Sequence, residues 1–317
     1  MGNLLKANGI KIWFEEFGES SNETILLIMG ANANCKQWPQ EFIDRLVSKN
    51  FRVVRFDNRD VGKSSWLGKE PSYNKFLKVL PAFLLKIIVN RIFGLVVDKK
   101  GKFKFSESAT VKYDLSDMAK DAVSLMDSLN IKKAHIVGAS MGGMITQIIA
   151  LDYPERVKSI TPIMTTPGIQ NESLSGPSQE LLNAMQKSFV MNLKGRIEDG
   201  VVEIYKQLTG SRFPFDEKEF RKRLSPIVEH GNNPFALHGA AIGASPDRTS
   251  RLNEINVPTL VIHGTEDAIL PLDHGIALAD GIKNSMRMIM DRVGHEIPEQ
   301  LYSEIVNAIE KNIKRAS

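Results

Sequence analysis

Cysteine is almost absent from this chain, which has a single such residue, Cys35, among 317. One cysteine cannot close an internal disulfide, and a cysteine-based metal site needs several ligands at fixed spacing. We therefore expect the stability of the fold to rest on packing of its apolar core.

A strong excess of charge of one sign is also missing, since 41 Lys and Arg residues stand against 37 Asp and Glu residues. A nucleic-acid partner is not expected, because binding would require cations clustered on one face. The first residues lack the regions of a secretory signal, and Lys6 stands where N-myristoylation needs Ser or Thr. These absences predict a cytoplasmic location.

Apolar runs typical of buried strands alternate along the chain with apolar residues at helical spacing. A hairpin is predicted around Asn8-Gly9. Further strands are predicted at 25–29, 51–56, 134–137, 258–263 and 286–290, and helices at 41–47, 115–129, 141–151 and 298–313. This order predicts a doubly wound, mostly parallel sheet.

Two segments interrupt the alternation. Residues 66–108 are rich in apolar and basic side chains, and residues 165–250 are helical with no strong strand pattern. Each follows the end of a strand at the edge where open α/β sheets bind ligands. We therefore predict a core of residues 1–165 and 251–317, an apolar basic insert at about 66–108, and a helical lid at 166–250.

The sequence Gly138-Ala-Ser140-Met-Gly142 fits the pattern G-x-S-x-G between a predicted buried strand and a predicted helix. In that setting a tight turn projects the serine hydroxyl above the sheet, and the helix N-terminus places backbone N–H groups beside it. The alternative is a glycine-rich turn whose serine has no catalytic role. Strand and helix flanks favour Ser140 as a nucleophile.

A serine nucleophile needs a base and a carboxylate that orients the base, in the chain order Ser, acid, His. Of the six histidines, only His295 follows the last predicted strand in a loop. Asp267 lies on the loop after the strand 258–263, which is the expected position for the acid. Glu266, the neighbour of Asp267, is a weaker candidate. If Asp291 were the acid, the acid and the base His295 would both follow the same strand.

The oxyanion of an acyl-transfer intermediate needs backbone donors. The N–H of Met141 is one candidate, and the N–H of Ala31, in the loop after strand 25–29, is the other. Arg59 and Asp60 belong to a D-x-R-x-x-G-x-S turn and are interpreted as structural.

These motifs together resemble the α/β-hydrolase superfamily over nearly the whole chain. The segments LLIMGANANCKQWP, AHIVGASMGGMITQIIALDYPERV and VPTLVIHGTEDAILP look like the aclacinomycin methylesterase branch. The resemblance implies an eight-stranded sheet, hydrolysis of a small-molecule carboxylic ester, and an oxyanion pair at Ala31 and Met141. It implies no metal and no organic cofactor.

Three alternatives stay open at this stage. The same three side chains can support C–C bond hydrolysis or perhydrolysis, and a low-turnover ligand-binding protein can keep this fold.

The insert at 66–108 is longer than that branch leads us to expect. Its part at 73–97 could lie on a membrane as a basic amphipathic helix, although a helix packed over the pocket is favoured. A homodimer is a further option.

Overall fold

The structure is a computed structural model that describes residues 2–71, 74–98, 101–104 and 111–316. Within these residues, eight strands form one sheet: β1 (Asn3–Ala7), β2 (Ile10–Phe17), β3 (Thr24–Ile28), β4 (Arg52–Phe56), β5 (Ala134–Ala139), β6 (Val157–Ile163), β7 (Leu260–Gly264) and β8 (Met286–Met290). Their spatial order is β1-β2-β4-β3-β5-β6-β7-β8. Strand β2 is antiparallel to β1 and β4, and the other neighbours are parallel.

Helices cover both faces of this sheet. They are α1 (Gln40–Ser48), α4 (Leu115–Ser128), α5 (Met141–Asp152), α10 (Leu272–Gly281) and α11 (Tyr302–Ile313). Leu26 and Ile28 of β3 pack in the core with α4, α5 and α10, whereas Ile25 and Leu27 pack in the core with α1 and α11. Successive strand residues point to opposite faces, so a continuous apolar run fills two cores. The predicted doubly wound α/β-hydrolase fold is confirmed.

Strand β6 is the one strand of the sheet that the reading of apolar runs did not identify. Its sequence, VKSITPI, carries Lys158, Ser159, Thr161 and Pro162 between its apolar residues. Proline argues against a central strand because it cannot donate to the ladder. The structure accommodates it because β6 pairs along its whole length with β5, but with β7 only through Ile163 and an isolated bridge at Ile160.

Two groups of helices depart from the sheet. Helices α2 (Asn74–Val79) and α3 (Ala82–Val96) follow β4, and helices α6 (Gln179–Leu193), α7 (Ile197–Leu208), α8 (Glu217–His230) and α9 (His238–Ala244) follow β6. The predicted insert at 66–108 also covers residues 72–73, 99–100 and 105–108, which lie outside the described residues. In the part of the chain that is described, every helix is too short or too polar to cross a membrane.

The turn after β4 attaches the second group of helices to the sheet. Asp57 accepts a hydrogen bond of 2.7 Å from Nε2 of His230, and Asp60 accepts one of 3.2 Å from the N–H of Leu237. Arg59 forms a buried ion pair with Asp121 at 2.6 Å. Because a buried charge is costly without a partner, these contacts hold the turn in one conformation.

Candidate active site

Ser140 lies at the sharp turn between β5 and α5. Its backbone has φ 54° and ψ −119°, a conformation that costs energy for a residue with a Cβ. Neighbouring groups hold it there. The N–H of Ser140 donates to Ile163 O at 2.8 Å, and the Thr165 hydroxyl donates to Ser140 O at 2.7 Å.

Glycines flank this serine because the backbone approaches too closely for any side chain. A Cβ at Gly138 would lie 2.2 Å from Gly142 O, and a Cβ at Gly142 would lie 2.1 Å from Ile28 O. Both distances are shorter than any Cβ tolerates without a shift of backbone. The G-x-S-x-G pattern is therefore the condition under which β3, β5 and α5 meet at this turn.

Asp267 and His295 are in direct contact. The Nδ1–H of His295 donates to Oδ2 of Asp267 at 2.7 Å, so Nε2 of the same ring keeps a lone pair that can accept a proton. Oδ1 of Asp267 accepts hydrogen bonds from the N–H groups of Ile269 and Leu270 at 3.0 and 2.8 Å. The Asp267 side chain is fully buried, whereas that of His295 is 11% exposed.

Two opposing effects act on the Asp267 carboxyl. Burial acts to raise its pKa, but electrostatic attraction to His295 and His263 and the hydrogen bonds from His295 and from the N–H of Leu270 together hold the pKa below its usual value. The carboxylate is thus charged at neutral pH. It can orient the His295 ring and stabilise the positive charge that the ring acquires on accepting a proton.

Ser140, Asp267 and His295 follow three parallel strands, β5, β7 and β8, and lie beyond the same edge of the sheet. In the described part of the chain, no hydrogen bond joins the Ser140 hydroxyl to His295. Such bonds are often long without a substrate and tighten when it binds.

The alternative acids lie elsewhere. Glu266 accepts hydrogen bonds from the backbone and hydroxyl of Ser211, at 2.6 and 2.9 Å. Asp291 is exposed and pairs with Arg292. Asp267 does not cap the helix that follows it, because α10 begins at Leu272 with Pro271 as its N-cap.

The loop after β3 passes directly over Ser140. A Cβ at Gly30 would lie 3.1 Å from the Ser140 Cβ and 3.7 Å from its Oγ. Ala31 follows in that loop. Met141 is the first residue of α5, where backbone N–H groups have no partner within the helix. Both predicted oxyanion residues therefore belong to elements adjacent to the serine.

His238 of α9 braces this loop, which sequence reasoning missed. The N–H of Asn32, at φ 57°, donates to Nδ1 of His238 at 2.8 Å. Nε2 of His238 donates to Arg59 O at 2.7 Å. These contacts require the neutral ring, and burial lowers the pKa of His238. The only sequence signal was a histidine in the helical insert, which does not indicate its partner.

A second part of the predicted lid supports the loop of His295. The N–H of His295 donates to Leu208 O at 2.7 Å, and the N–H of Gly210 donates to Oε1 of Glu296 at 3.0 Å. A Cβ at Gly294 would lie 2.0 Å from Leu208 O. The end of α7 and the base-bearing loop are therefore packed backbone to backbone.

Cys35, Asp57 and His230 form a buried cluster whose potential ligand atoms lie within 4.8 Å of one another. Hydrogen bonds already occupy both carboxylate oxygens, since Oδ1 accepts from Cys35 N and Oδ2 from Lys63 N and from His230. Burial and the adjacent Asp57 raise the pKa of the Cys35 thiol. The hydrogen bond between His230 and Asp57 joins α8 to the sheet, which the spacing of these residues in the sequence did not indicate.

Comparison with known proteins agrees with this architecture. The family model for the alpha/beta hydrolase fold matches residues 23–300. This chain belongs to the α/β-hydrolase family. The prediction of an enzyme of this superfamily, related to the methylesterase branch, is confirmed.

Two relatives and one solved structure show what this chain is similar to. The chain is 27% identical over 328 residues to rhodomycin D methylesterase DauP of Streptomyces sp. (strain C5), covering 96% of each chain. It is 32% identical over 295 residues to 2-hydroxy-6-oxononadienedioate/2-hydroxy-6-oxononatrienedioate hydrolase 1 of Pseudomonas putida, covering 90% of this chain and 86% of the relative. The crystal structure of a bromoperoxidase from Bacillus anthracis superposes with a TM-score of 0.71 at 19% identity, over 99% and 100% of the two chains, which shows the shared fold.

Proposed function

We propose that this α/β-hydrolase cleaves a small-molecule carboxylic ester through an acyl-enzyme on Ser140, with His295 as general base and Asp267 as the orienting acid. The observation that carries the proposal is the 2.7 Å hydrogen bond between His295 Nδ1 and the buried Asp267 carboxylate. It leaves Nε2 as the basic nitrogen at the edge of the sheet where Ser140 lies. No metal or organic cofactor takes part in this scheme.

The reaction proceeds in two halves. Ser140 Oγ attacks the ester carbonyl carbon while His295 Nε2 takes the hydroxyl proton, and the N–H groups of Ala31 and Met141 donate to the oxyanion. The intermediate then expels the alcohol, which receives the proton from His295. Water attacks the acyl-enzyme with the same base, releasing the acid and restoring the hydroxyl.

A methyl ester is the substrate class that we propose first. The support is the similarity to a rhodomycin D methylesterase, which extends over 96% of both chains. We further propose that residues 166–250 act as a lid, because α7 and α9 of this segment contact the loops of His295 and Asn32.

The mechanism is tested by two pairs of variants assayed on methyl and short-chain nitrophenyl esters. Ser140→Ala is expected to lower kcat by about 10⁴-fold or more, and Asp267→Asn by roughly 10³ to 10⁴-fold. The matched controls are Ser128→Ala and Asp291→Asn, which change exposed residues of the same types and should leave rates unchanged. Equal hydrolysis by wild type and Ser140→Ala would contradict the proposed nucleophile.

C–C bond hydrolysis is a second candidate, favoured by the 32% identity to the Pseudomonas putida hydrolase. A 2-hydroxy-6-oxo-dienedioate, assayed beside the ester panel, separates the two functions. A kcat/KM at least tenfold higher for the diketone acid would favour C–C cleavage over ester hydrolysis. Inactivity of Ser140→Ala on both substrate classes is expected in either case.

A further inference from the structure

Exposed apolar side chains are concentrated on helices α2 and α3. Among the described residues, 15 large apolar side chains are exposed, and eight of them lie here: Phe76, Val79, Phe83, Leu84, Ile87, Ile92, Leu95 and Val96. We call these eight residues the outer face. Phe76 and Phe83 are each 64% exposed and Leu95 is 75% exposed. Such a concentration of exposed apolar side chains on two consecutive helices indicates an interaction site.

The outer face cannot turn inward, because the opposite side of α3 is already occupied. Leu85 and Val89 are buried, and Leu85 packs with Leu193 of α6. Nζ of Lys194 donates to the carbonyls of Lys78 and Leu80 at 2.9 and 2.6 Å, which ties the end of α2 to α6. Phe83 and Ile87, one turn apart, therefore point away from the other residues that the structure describes.

The charged side chains within helices α2 and α3 are all basic. No Asp or Glu occurs between residues 71 and 97, whereas Lys75, Lys78, Lys86 and Arg91 are all present and exposed. Lys78 pairs with Glu70, which precedes the helices. Long basic side chains can lay their apolar stems along a surface and extend their charges to its polar layer.

The combination of exposed apolar side chains and basic charges favours one of two candidate occupants of the outer face. A second copy of the chain would bring the same cations against one another, and like charges across an interface oppose association. The anionic headgroups of a lipid leaflet would instead attract the cations while the acyl region accepts the phenylalanine and aliphatic side chains. Helix α3 has 15 residues, fewer than the roughly 20 that span a bilayer.

We propose that α2 and α3 bind the surface of an anionic lipid membrane, with the outer face inserted at the headgroup boundary and Lys75, Lys86 and Arg91 at the level of the lipid phosphates. The chain lies on the membrane and does not cross it. This proposal does not depend on the reaction at Ser140.

The test uses the full chain and sedimentation with two kinds of vesicle, one of phosphatidylcholine alone and one with about a third phosphatidylglycerol. Three cations, each strengthening binding about fivefold, predict a partition coefficient about 10²-fold higher on the anionic vesicles. Raising the salt from 0.05 to 0.5 M should remove most of that difference, because it shortens the screening length.

Two double variants separate the apolar and the ionic contributions. Phe83→Gln with Ile87→Gln is expected to lower partition at least tenfold, and Lys86→Gln with Arg91→Gln by about 25-fold on anionic vesicles only. The matched controls are Leu4→Gln with Ile197→Gln, at residues 51% and 52% exposed outside the outer face, and Lys132→Gln with Lys133→Gln. Both controls should bind as wild type does.

The proposal is overturned if the wild type binds neither kind of vesicle or binds both equally. It is also overturned if the two double variants bind the anionic vesicles as tightly as the wild type does. Sedimentation velocity supplies a further decision. A concentration-dependent dimer that Phe83→Gln with Ile87→Gln dissociates would identify a second copy as the occupant. Vesicle binding by Ser140→Ala equal to that of wild type is expected, so that failure of the proposed catalysis is recognised separately.

Discussion

The two groups of helices outside the sheet differ in what their side chains and backbone contact. The group after β6 directs backbone and polar groups inward, where Leu208 and His238 contact the loops of His295 and Asn32. The group after β4 packs on α6 through one side of α3 and exposes the other. This difference supports the two proposals, that the helices after β6 form part of the active-site framework and that the helices after β4 bind something outside the chain.

Glycine-to-alanine substitutions give the largest contrast between the two regions. We expect Gly294→Ala to lower kcat/KM at least about 10²-fold, because its Cβ would lie 2.0 Å from Leu208 O and would displace the loop of His295. Gly94→Ala in α3 meets nothing within 4 Å and should leave activity unchanged. Ester hydrolysis, with circular dichroism as the check of folding, measures both. Activity of Gly294→Ala within threefold of wild type would show that the α7 junction does not position His295.

The brace between α9 and the Gly30–Asn32 loop predicts the next largest effect. His238→Ala should lower kcat by about 10 to 50-fold with a smaller change in KM, because a misaligned oxyanion donor loses part of the roughly 10²-fold or more that one donor contributes. His238→Gln, which can both donate and accept, should recover part of the rate. A purely structural role would instead lower both variants' stability and leave the kcat of the folded fraction intact.

Acid should weaken the α9 junction before it affects the outer face, which contains no histidine. Burial lowers the pKa of His238 in the folded chain, so the stability it contributes is complete above the unfolded value of about 6.5 and is lost as pH falls toward the lower folded pKa. We expect the free energy of unfolding of wild type to fall more steeply below pH 6.5 than that of His238→Gln, by at most about 1.4 kcal/mol per pH unit. Urea unfolding at pH 7, 6 and 5 measures the difference, and parallel curves for the two proteins would contradict it.

The smallest effect is expected within α3 itself. Gly94→Ala should stabilise this helix by about 0.5–1 kcal/mol, since alanine loses less backbone entropy than glycine and the site is open. Hydrogen exchange of the α3 amides measures this change locally. The control is Gly239→Ala in α9, a helix held by tertiary contacts, where the added Cβ also meets nothing within 4 Å. Slower exchange in α3 with no change in α9 after Gly94→Ala is the expected result.

Much of the fold could be predicted because it depends on local patterns. Runs such as 25–29 identify a strand buried on both sides, and the tight turn at Ser140 requires small residues at fixed positions. Strand β6 was missed because Pro162 and its polar residues contradict the local pattern, and only its long pairing with β5 and sparse pairing with β7 make them acceptable. The assignments of Ser140, Asp267 and His295 stay predictions that the geometry supports.

The sequence alone determined seven of the eight strands, the helices that cover the sheet, the family, and the candidate nucleophile, base and acid, because each depends on residues within a few positions of one another or on a fixed chain order. Only the tertiary structure decided that His238 reaches Asn32 across 206 positions, that Leu208 supports His295, and that the outer face is exposed among the described residues. Packing brings distant backbone groups into contact, and no local spacing of residues encodes such contacts.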